Sequence, residues 1–265
     1  MNSYAKINLT LDILGKRKDG YHNLSTVYQQ VELHDDISLE RADRIILECG
    51  IKFLETRKNL CFRAAAILKD RYGVSDGVRI QIKKVIPVGA GLGGGSSNAA
   101  AVLKGLNALW NLNLPEKELM SLGKEIGMDV PFAIVGGTAR GEGRGEEITK
   151  LPPLKKYHVV IVFPGFSIST KDSYGSLDCQ KIGKAQSTEK FIAGYDLKFL
   201  HNDFEFSIFK AFPKLKEIKK ALGPHSLLSG SGSCIYGLFE KRADAEKKFE
   251  EMKKEFPQTF LTETV

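Results

Sequence analysis

The 265-residue sequence predicts an α+β fold in two domains, the second a split βαβ (ferredoxin-like) layer. Three observations carry this. The second half of the chain runs strand, helices, strand, strand, helix, strand, which is the order of that layer. The first half joins strand-patterned to helix-patterned segments through a glycine-rich turn. Between the halves, Pro152 and Pro153 interrupt the pattern after a polar, hairpin-like stretch at 140–149. They set a boundary between domains 1–152 and 153–265.

The elements follow in order. Residues 5–13 read as a strand, with Ile7, Leu9, Leu11 and Ile13 alternating against Lys6, Asn8, Thr10 and Asp12. Residues 59–72 read as a helix, with Leu60, Ala64, Ile67 and Leu68 on one face. Residues 78–85 alternate as a half-buried strand. A helix is predicted from Ser96 or Ser97 to about Asn111, and Pro115 opens the next one in its first turn. Residues 157–163 form a strand, and several helical segments fill 169–222. Strands at 225–228 and 234–239 flank a glycine-rich turn. A charged helix at 243–256 and a strand at 258–262 close the chain.

Composition narrows the function. With 42% hydrophobic and 27% charged residues this is the mix of a water-soluble globular protein. No apolar run is long enough to cross a bilayer, and the first residues carry no secretory pattern. Cys49, Cys61, Cys179 and Cys234 are far apart, without a CxxC pair, so neither a zinc site nor a disulfide framework is expected. A reducing cytoplasm is the simplest compartment. The net charge of +7 suits either nucleic acid or an anionic small molecule. Its lysines are dispersed along helix faces such as 247–254, where they alternate with Glu250 and Glu251, so the small molecule is favoured.

The chemical signal is Pro87-Val88-Gly89-Ala90-Gly91-Leu92-Gly93-Gly94-Gly95-Ser96-Ser97, between a strand and a helix. Glycines let the backbone approach a ligand and adopt dihedrals other residues avoid. Successive N–H groups then converge on phosphate oxygens, and the following helix adds its positive end. Ser96 and Ser97 can cap that helix or offer hydroxyls to a phosphate or its metal ion. No Lys-Ser/Thr pair follows the glycines, so this is not a Walker A loop. No acid stands some twenty residues on, so it is not a dinucleotide fingerprint either. A plain flexible turn is the bland alternative.

Three segments together carry a family resemblance: Ala5-Lys6-Ile7-Asn8-Leu9 with Asp19-Gly20-Tyr21-His22; the glycine loop through Asn98-Ala99-Ala100; and Leu228-Ser229-Gly230-Ser231-Gly232-Ser233. The set resembles the GHMP kinases (galactokinase, homoserine kinase, mevalonate kinase and relatives) over nearly the whole chain. The resemblance implies a two-domain α+β fold with the active site in the interdomain cleft. It implies transfer of the γ-phosphoryl group of ATP, with accompanying Mg²⁺, to an alcohol. Lys6 matches the family's catalytic lysine, and Asp129, in Gly127-Met128-Asp129-Val130-Pro131, its catalytic aspartate. Tyr4 stands where proline is more common, and Ser233-Cys234 where proline or alanine precedes threonine.

The remaining candidates each have a bland alternative. Asp129 before Pro131 could simply cap a helix. Lys6 could be a solvated strand residue; as a catalytic group it would keep Asp129 ionised and steady the transferring oxygens. Asn8 can bind the same polyol. The resemblance makes Tyr21, His22, Tyr28 and Tyr174 candidates for a cytosine base, against core aromatics and a turn histidine. Arg144 reaches a diphosphate or is a hairpin-tip charge. Gly230 and Gly232 close on phosphates or form a tight hairpin. By the resemblance Asn59 matches a position near the adenine; otherwise it caps a helix. The expected partner is a cytidine-diphosphate polyol, with no nucleic acid or membrane. Another GHMP substrate (mevalonate, homoserine or a sugar) lacks a base and would leave Tyr21 and His22 idle. His34, His158, His201 and His225 show no metal-ligand spacing, so no histidine-held metal is expected.

Overall fold

The computed structural model describes residues 1–177, 182 and 186–265. Cys179 lies outside the described residues. The chain divides into two compact units, each built from separate stretches. Unit 1 comprises Met1–Ala5, His34–Ile86 and Gly93–Gly136; unit 2 comprises Lys6–Leu33, Pro87–Leu92 and Gly137–Val265. This division differs from the 152/153 boundary, because long strands run on where the sequence shows no break. The first two strands, β1 (Asn2–Lys16) and β2 (His22–Ala42), are each divided internally.

Unit 1 adds β3 (Ile46–Glu48), α1 (Leu60–Tyr72), β4 (Gly77–Lys83), α2 (Gly94–Leu109), α3 (Glu116–Ile126) and α4 (Val130–Val135). β4 pairs antiparallel with β2, from Asp36 opposite Lys83 to Ala42 opposite Gly77, and parallel with β3. The alternation along 78–85 is realised: Val78, Ile80 and Ile82 enter a core shared with Leu68, Leu103, Leu106 and Val130. Fully burying such a side chain stabilises by about 1.5–3 kcal/mol over leaving it in water. α1 begins where Asn59 Oδ1 accepts from Cys61 N at 2.9 Å, and ends at a left-handed Gly73. α2 starts two residues earlier than Ser96, capped by Gly93. Pro115 caps α3 from outside rather than opening its first turn.

Unit 2 adds β5 (Thr138–Glu142), β6 (Glu147–Lys150), β7 (His158–Val162), α5 (Thr170–Gly175), α6 (Ser187–Ile192), β8 (His201–Asn202), α7 (Phe204–Ala211), α8 (Pro213–Leu222), β9 (Ser226–Leu228), β10 (Ile235–Phe239), α9 (Arg242–Lys253) and β11 (Thr259–Glu263). One sheet has the order β11-β7-β10-β9, antiparallel throughout, which is the expected split βαβ layer. Val160, Val162, Ile235, Ile208 and Leu215 pack its core. In the other sheet β5 pairs with β2, opposing Thr26 to Gly141, and β8 runs parallel to β1, opposing Thr10 to His201.

Along β1 the sequence predicts one apolar and one solvated face. Both are buried instead. Ile7, Leu9 and Ile13 are fully enclosed, yet Lys6 keeps only 7% of its surface, and Asn8, Thr10 and Asp12 no more than 1%. The polar row is tolerated because its members hydrogen-bond within unit 2.

Candidate active site

The polar row of β1 builds the first part of the site. Lys6 Nζ donates to Asn8 Oδ1 at 2.7 Å. Asn8 Nδ2 donates to Thr26 Oγ1 at 2.8 Å, and Tyr236 OH donates to Asn8 O at 2.7 Å. The Lys6 ammonium lies 5.6 Å from the centroid of the Tyr28 ring. That ring is buried, and its hydroxyl points to Gly145 O at 3.4 Å. Tyr28 therefore stands beneath the lysine.

Two glycine turns of unit 2 meet beside this ammonium. Lys6 N donates to Leu92 O, Cys234 N to Ala90 O, each at 3.0 Å, and Ser229 Oγ to Gly91 O at 2.9 Å. Gly91 has φ +80°, and a Cβ added there would lie 2.0 Å from Ser229 O. Only glycine fits. A Cβ on Gly230 would lie 3.1 Å from Lys6 Nζ and 3.1 Å from Gly91 O. The turn ending in Gly232 is thus packed on the turn holding Gly89 and Gly91, with Lys6 alongside.

A second cluster in unit 2 is aromatic. His22 stacks on Tyr174, ring centroids 4.9 Å apart and planes 20° apart. Tyr174 meets Phe204 edge-on at 4.9 Å. Burial, reinforced by the charge of Lys16, lowers the His22 pKa, so its imidazole is neutral at pH 7. Tyr21 is 53% exposed. The Arg144 guanidinium lies 5.2 Å from its ring centroid and pairs with Glu146 at 3.0 Å.

Unit 1 holds the other candidates. The N–H groups of Gly94, Gly95 and Ser96 precede the first helical bond of α2, Ser97 N to Gly93 O at 2.8 Å, so they form a positive helix end. Ser97 is inside the helix and buried, its hydroxyl donating to Tyr4 O at 2.6 Å, whereas Ser96 is half-buried. Asp129 stands at the N-cap of α4, but its side chain makes no capping bond, which weakens the capping alternative. Its turn lies close to the start of α2: a Cβ on Gly127 would be 3.8 Å from Ser96 Oγ. Asn59 does cap α1, and its Nδ2 donates to Leu54 O at 2.9 Å.

Sequence reasoning missed several residues. Asp35, fully buried, accepts from Lys84 Nζ at 2.5 Å and from Val85 N and Ile86 N at 2.7 and 2.8 Å. It anchors the chain entering the glycine loop; the Lys83-Lys84 pair just before that loop was the available signal. Thr26 and Asn202 act through contacts that no spacing reveals. His201, without metal-ligand spacing in sequence, is brought between two carboxylates: its Nε2 lies 2.8 Å from Asp203 Oδ1 and 4.0 Å from Asp12 Oδ1. Burial pulls its pKa down, but the bond to Asp203 and the nearby carboxylates win and raise it.

The chain is similar to known proteins along its whole length. Residues 59–137 match the family described as the GHMP kinases N terminal domain, and 194–258 the GHMP kinases C terminal. A 4-diphosphocytidyl-2-C-methyl-D-erythritol kinase of Caldicellulosiruptor saccharolyticus is 41% identical, the match covering all of this chain and 96% of that protein. A kinase of the same name from Acetivibrio thermocellus is 40% identical, covering all of this chain and 98% of its own length. Among solved structures, a 4-(cytidine 5'-diphospho)-2C-methyl-D-erythritol kinase superposes with a TM-score of 0.86 at 32% identity, covering 100% of this chain and 98% of that one. Homoserine kinase from Cytophaga hutchinsonii, at 20% identity and a TM-score of 0.76 over 100% of this chain and 95% of that one, shares the fold.

Proposed function

The chain belongs to the GHMP kinases, and within them to the 4-diphosphocytidyl-2-C-methyl-D-erythritol kinases, and from that membership we propose that it transfers the γ-phosphoryl group of ATP to the 2-hydroxyl of 4-diphosphocytidyl-2-C-methyl-D-erythritol. The reaction belongs to the non-mevalonate route to isoprenoid precursors. One observation carries the residue-level reading: a buried lysine, Lys6, oriented by Asn8 and set beside two interlocked glycine turns. A buried ammonium beside glycine turns fits an anionic ligand.

Phosphoryl transfer asks a protein for positioning and charge stabilisation more than for covalent chemistry. In our reading Lys6 steadies the negative oxygens as they move, and its ammonium needs no reorganisation because Asn8 and Tyr28 already hold it. The backbone from Gly89 to Gly95 and the start of α2 receive the triphosphate. Asp129 accepts the proton of the attacking hydroxyl. Magnesium, when bound, supplies charge neutralisation at the phosphates, held by phosphate oxygens and water. Ser97 is buried, gives its hydroxyl proton to Tyr4 O and accepts from Ser3 Oγ at 2.8 Å, so the half-buried Ser96 is the better-placed hydroxyl for the metal or a phosphate. Asn8 faces the polyol.

For the base we propose the His22–Tyr174 pair: a neutral imidazole edge to hydrogen-bond cytosine and a ring to stack on it. Tyr21 and Arg144 form the outer wall, with Arg144 toward the diphosphate. A cytoplasmic location accords with ATP as donor and with free Cys49, Cys61 and Cys234. Among the described residues no helix is long and apolar enough to cross a membrane.

The test is ATP-dependent phosphorylation of the cytidine-diphosphate substrate, mevalonate and homoserine at equal concentration. We expect turnover of the first to exceed the others by orders of magnitude. Preference for mevalonate or homoserine would leave only the wider family.

A further inference from the structure

We infer that Thr26 is a positioning residue for Lys6, acting through Asn8 by fixing which way the Asn8 amide faces. The inference rests on the reading of Lys6 as the charge at the transferring phosphoryl group.

The argument is one of donors and acceptors. Thr26 is fully buried on β2, and its hydroxyl has a single proton. That proton goes to Thr10 O at 2.5 Å, and a carbonyl can only accept. Toward Asn8 the hydroxyl therefore offers a lone pair, 2.8 Å from Nδ2. The amide must turn its NH₂ to Thr26, which leaves Oδ1 facing Lys6 Nζ at 2.7 Å. A flipped amide would set an NH₂ against an ammonium and an oxygen against a lone pair, two repulsive contacts in a buried setting. The bonds thus run in one direction: Lys6 to Asn8, Asn8 to Thr26, Thr26 to Thr10. The backbone of Asn8 is held separately by Tyr236, so its side chain can turn only about its own bonds.

Valine has threonine's shape without the lone pair. Thr26→Val leaves Asn8 Nδ2 without its acceptor and releases the amide to turn, so Asn8 Oδ1 is no longer fixed toward Lys6. A misplacement of about 1 Å at a reacting group costs on the order of 100-fold. We expect Thr26→Val to lower kcat by about 10- to 100-fold, because the charge is needed most in the transition state. KM for ATP should stay within about threefold, since the glycine turns are untouched. Thr26→Ser keeps the hydroxyl and should stay near wild type.

The experiment is steady-state kinetics on wild type, Thr26→Val, Thr26→Ala, Thr26→Ser and Lys6→Met, with calorimetry of a non-hydrolysable ATP analogue to confirm folded protein. Low kcat in the valine and alanine variants, with activity kept by serine and lost in Lys6→Met, supports the assignment. Wild-type kcat in a folded valine or alanine variant, with Lys6→Met inactive, overturns the role of Thr26 and leaves that of Lys6 standing. Equal loss in serine and valine also overturns it, since packing alone would then explain both. An active Lys6→Met removes the reading of Lys6, and this inference with it.

Discussion

Asn202 holds the carbonyl of Gly230: one amide N–H of Asn202 reaches that oxygen at 2.8 Å while its other reaches Leu228 O, also at 2.8 Å. Its own Oδ1 accepts from Phe204 N at 2.9 Å, so every polar atom of a buried side chain is used. One residue thereby joins the end of β8, the start of α7 and the turn beside Lys6.

Asn202→Asp therefore replaces two donors by acceptors facing two carbonyls. We expect a loss of stability of about 1–3 kcal/mol, the cost of leaving buried carbonyls unpaired. The loosened turn should also lower kcat/KM for ATP at least tenfold. Urea denaturation and steady-state kinetics on the same preparation check both. Unchanged values in each would show that the turn is held from elsewhere.

Gly91→Ala is expected to abolish ATP binding while leaving much of unit 2 intact. The added carbon would meet Ser229 O at 2.0 Å, and φ of +80° is already unfavourable for alanine. Backbone meets backbone here, so no flexible side chain can yield. Calorimetry with an ATP analogue, beside circular dichroism of the variant, decides it; wild-type affinity in a folded variant would place the phosphates elsewhere.

Asp129→Asn keeps the shape of the turn before α4 and removes the carboxylate proposed as the base. Turnover should fall about 10²–10⁴-fold with ATP binding nearly unchanged. A rate within a few-fold of wild type would take Asp129 out of that role.

His22 gives the pH dependence. Its pKa is lowered, first by burial and then by the charge of Lys16. The neutral imidazole therefore prevails from pH 7 upward, and KM for the cytidine substrate should be flat there. It should rise only as pH falls through the lowered value, which lies below the ordinary histidine value of about 6.5. Stability moves the same way: the unfolded chain takes up the proton first as pH falls, so the contribution present above about 6.5 is lost through that window. His22→Ala should have a higher KM, without this acid limb. An unchanged KM would free the base from His22.

Much of this architecture is written in local pattern. The alternation that became β4, the helix after Asn59 and the split βαβ order all follow from periodicity over a few residues. The start of α2 departs from the serine caps that the sequence suggests, because Gly93 takes the cap and Ser97 turns to Tyr4. β2 was not read as a strand, because 21 residues of it pass through varied surroundings and keep no single alternation. Of the candidate site, the glycines and Lys6 are legible in the sequence because backbone approach and charge restrict residue type. Thr26, Asn202 and the burial of Tyr28 are not. Their roles come from partners distant in sequence, as Asn202 and Gly230 are, and no window along the chain contains both.

β1 has two buried faces of opposite character, and this bears on how the chain finds its register. A half-exposed strand that slips by one residue moves polar groups into the core but sends apolar ones only into water. In β1 a one-residue slip would drive Lys6 and Asp12 into the layer of Ile7, Leu9 and Ile13, and those into a row lined by Thr26 and Thr188. A two-residue slip would keep the faces but give Lys6 the place of Asn8, ending the directed bonds to Thr26 and Thr10. Neither offset is a near neighbour in free energy, so misaligned pairings are poor traps. The strand that carries Lys6 should therefore dock late and all at once, on neighbours already in place.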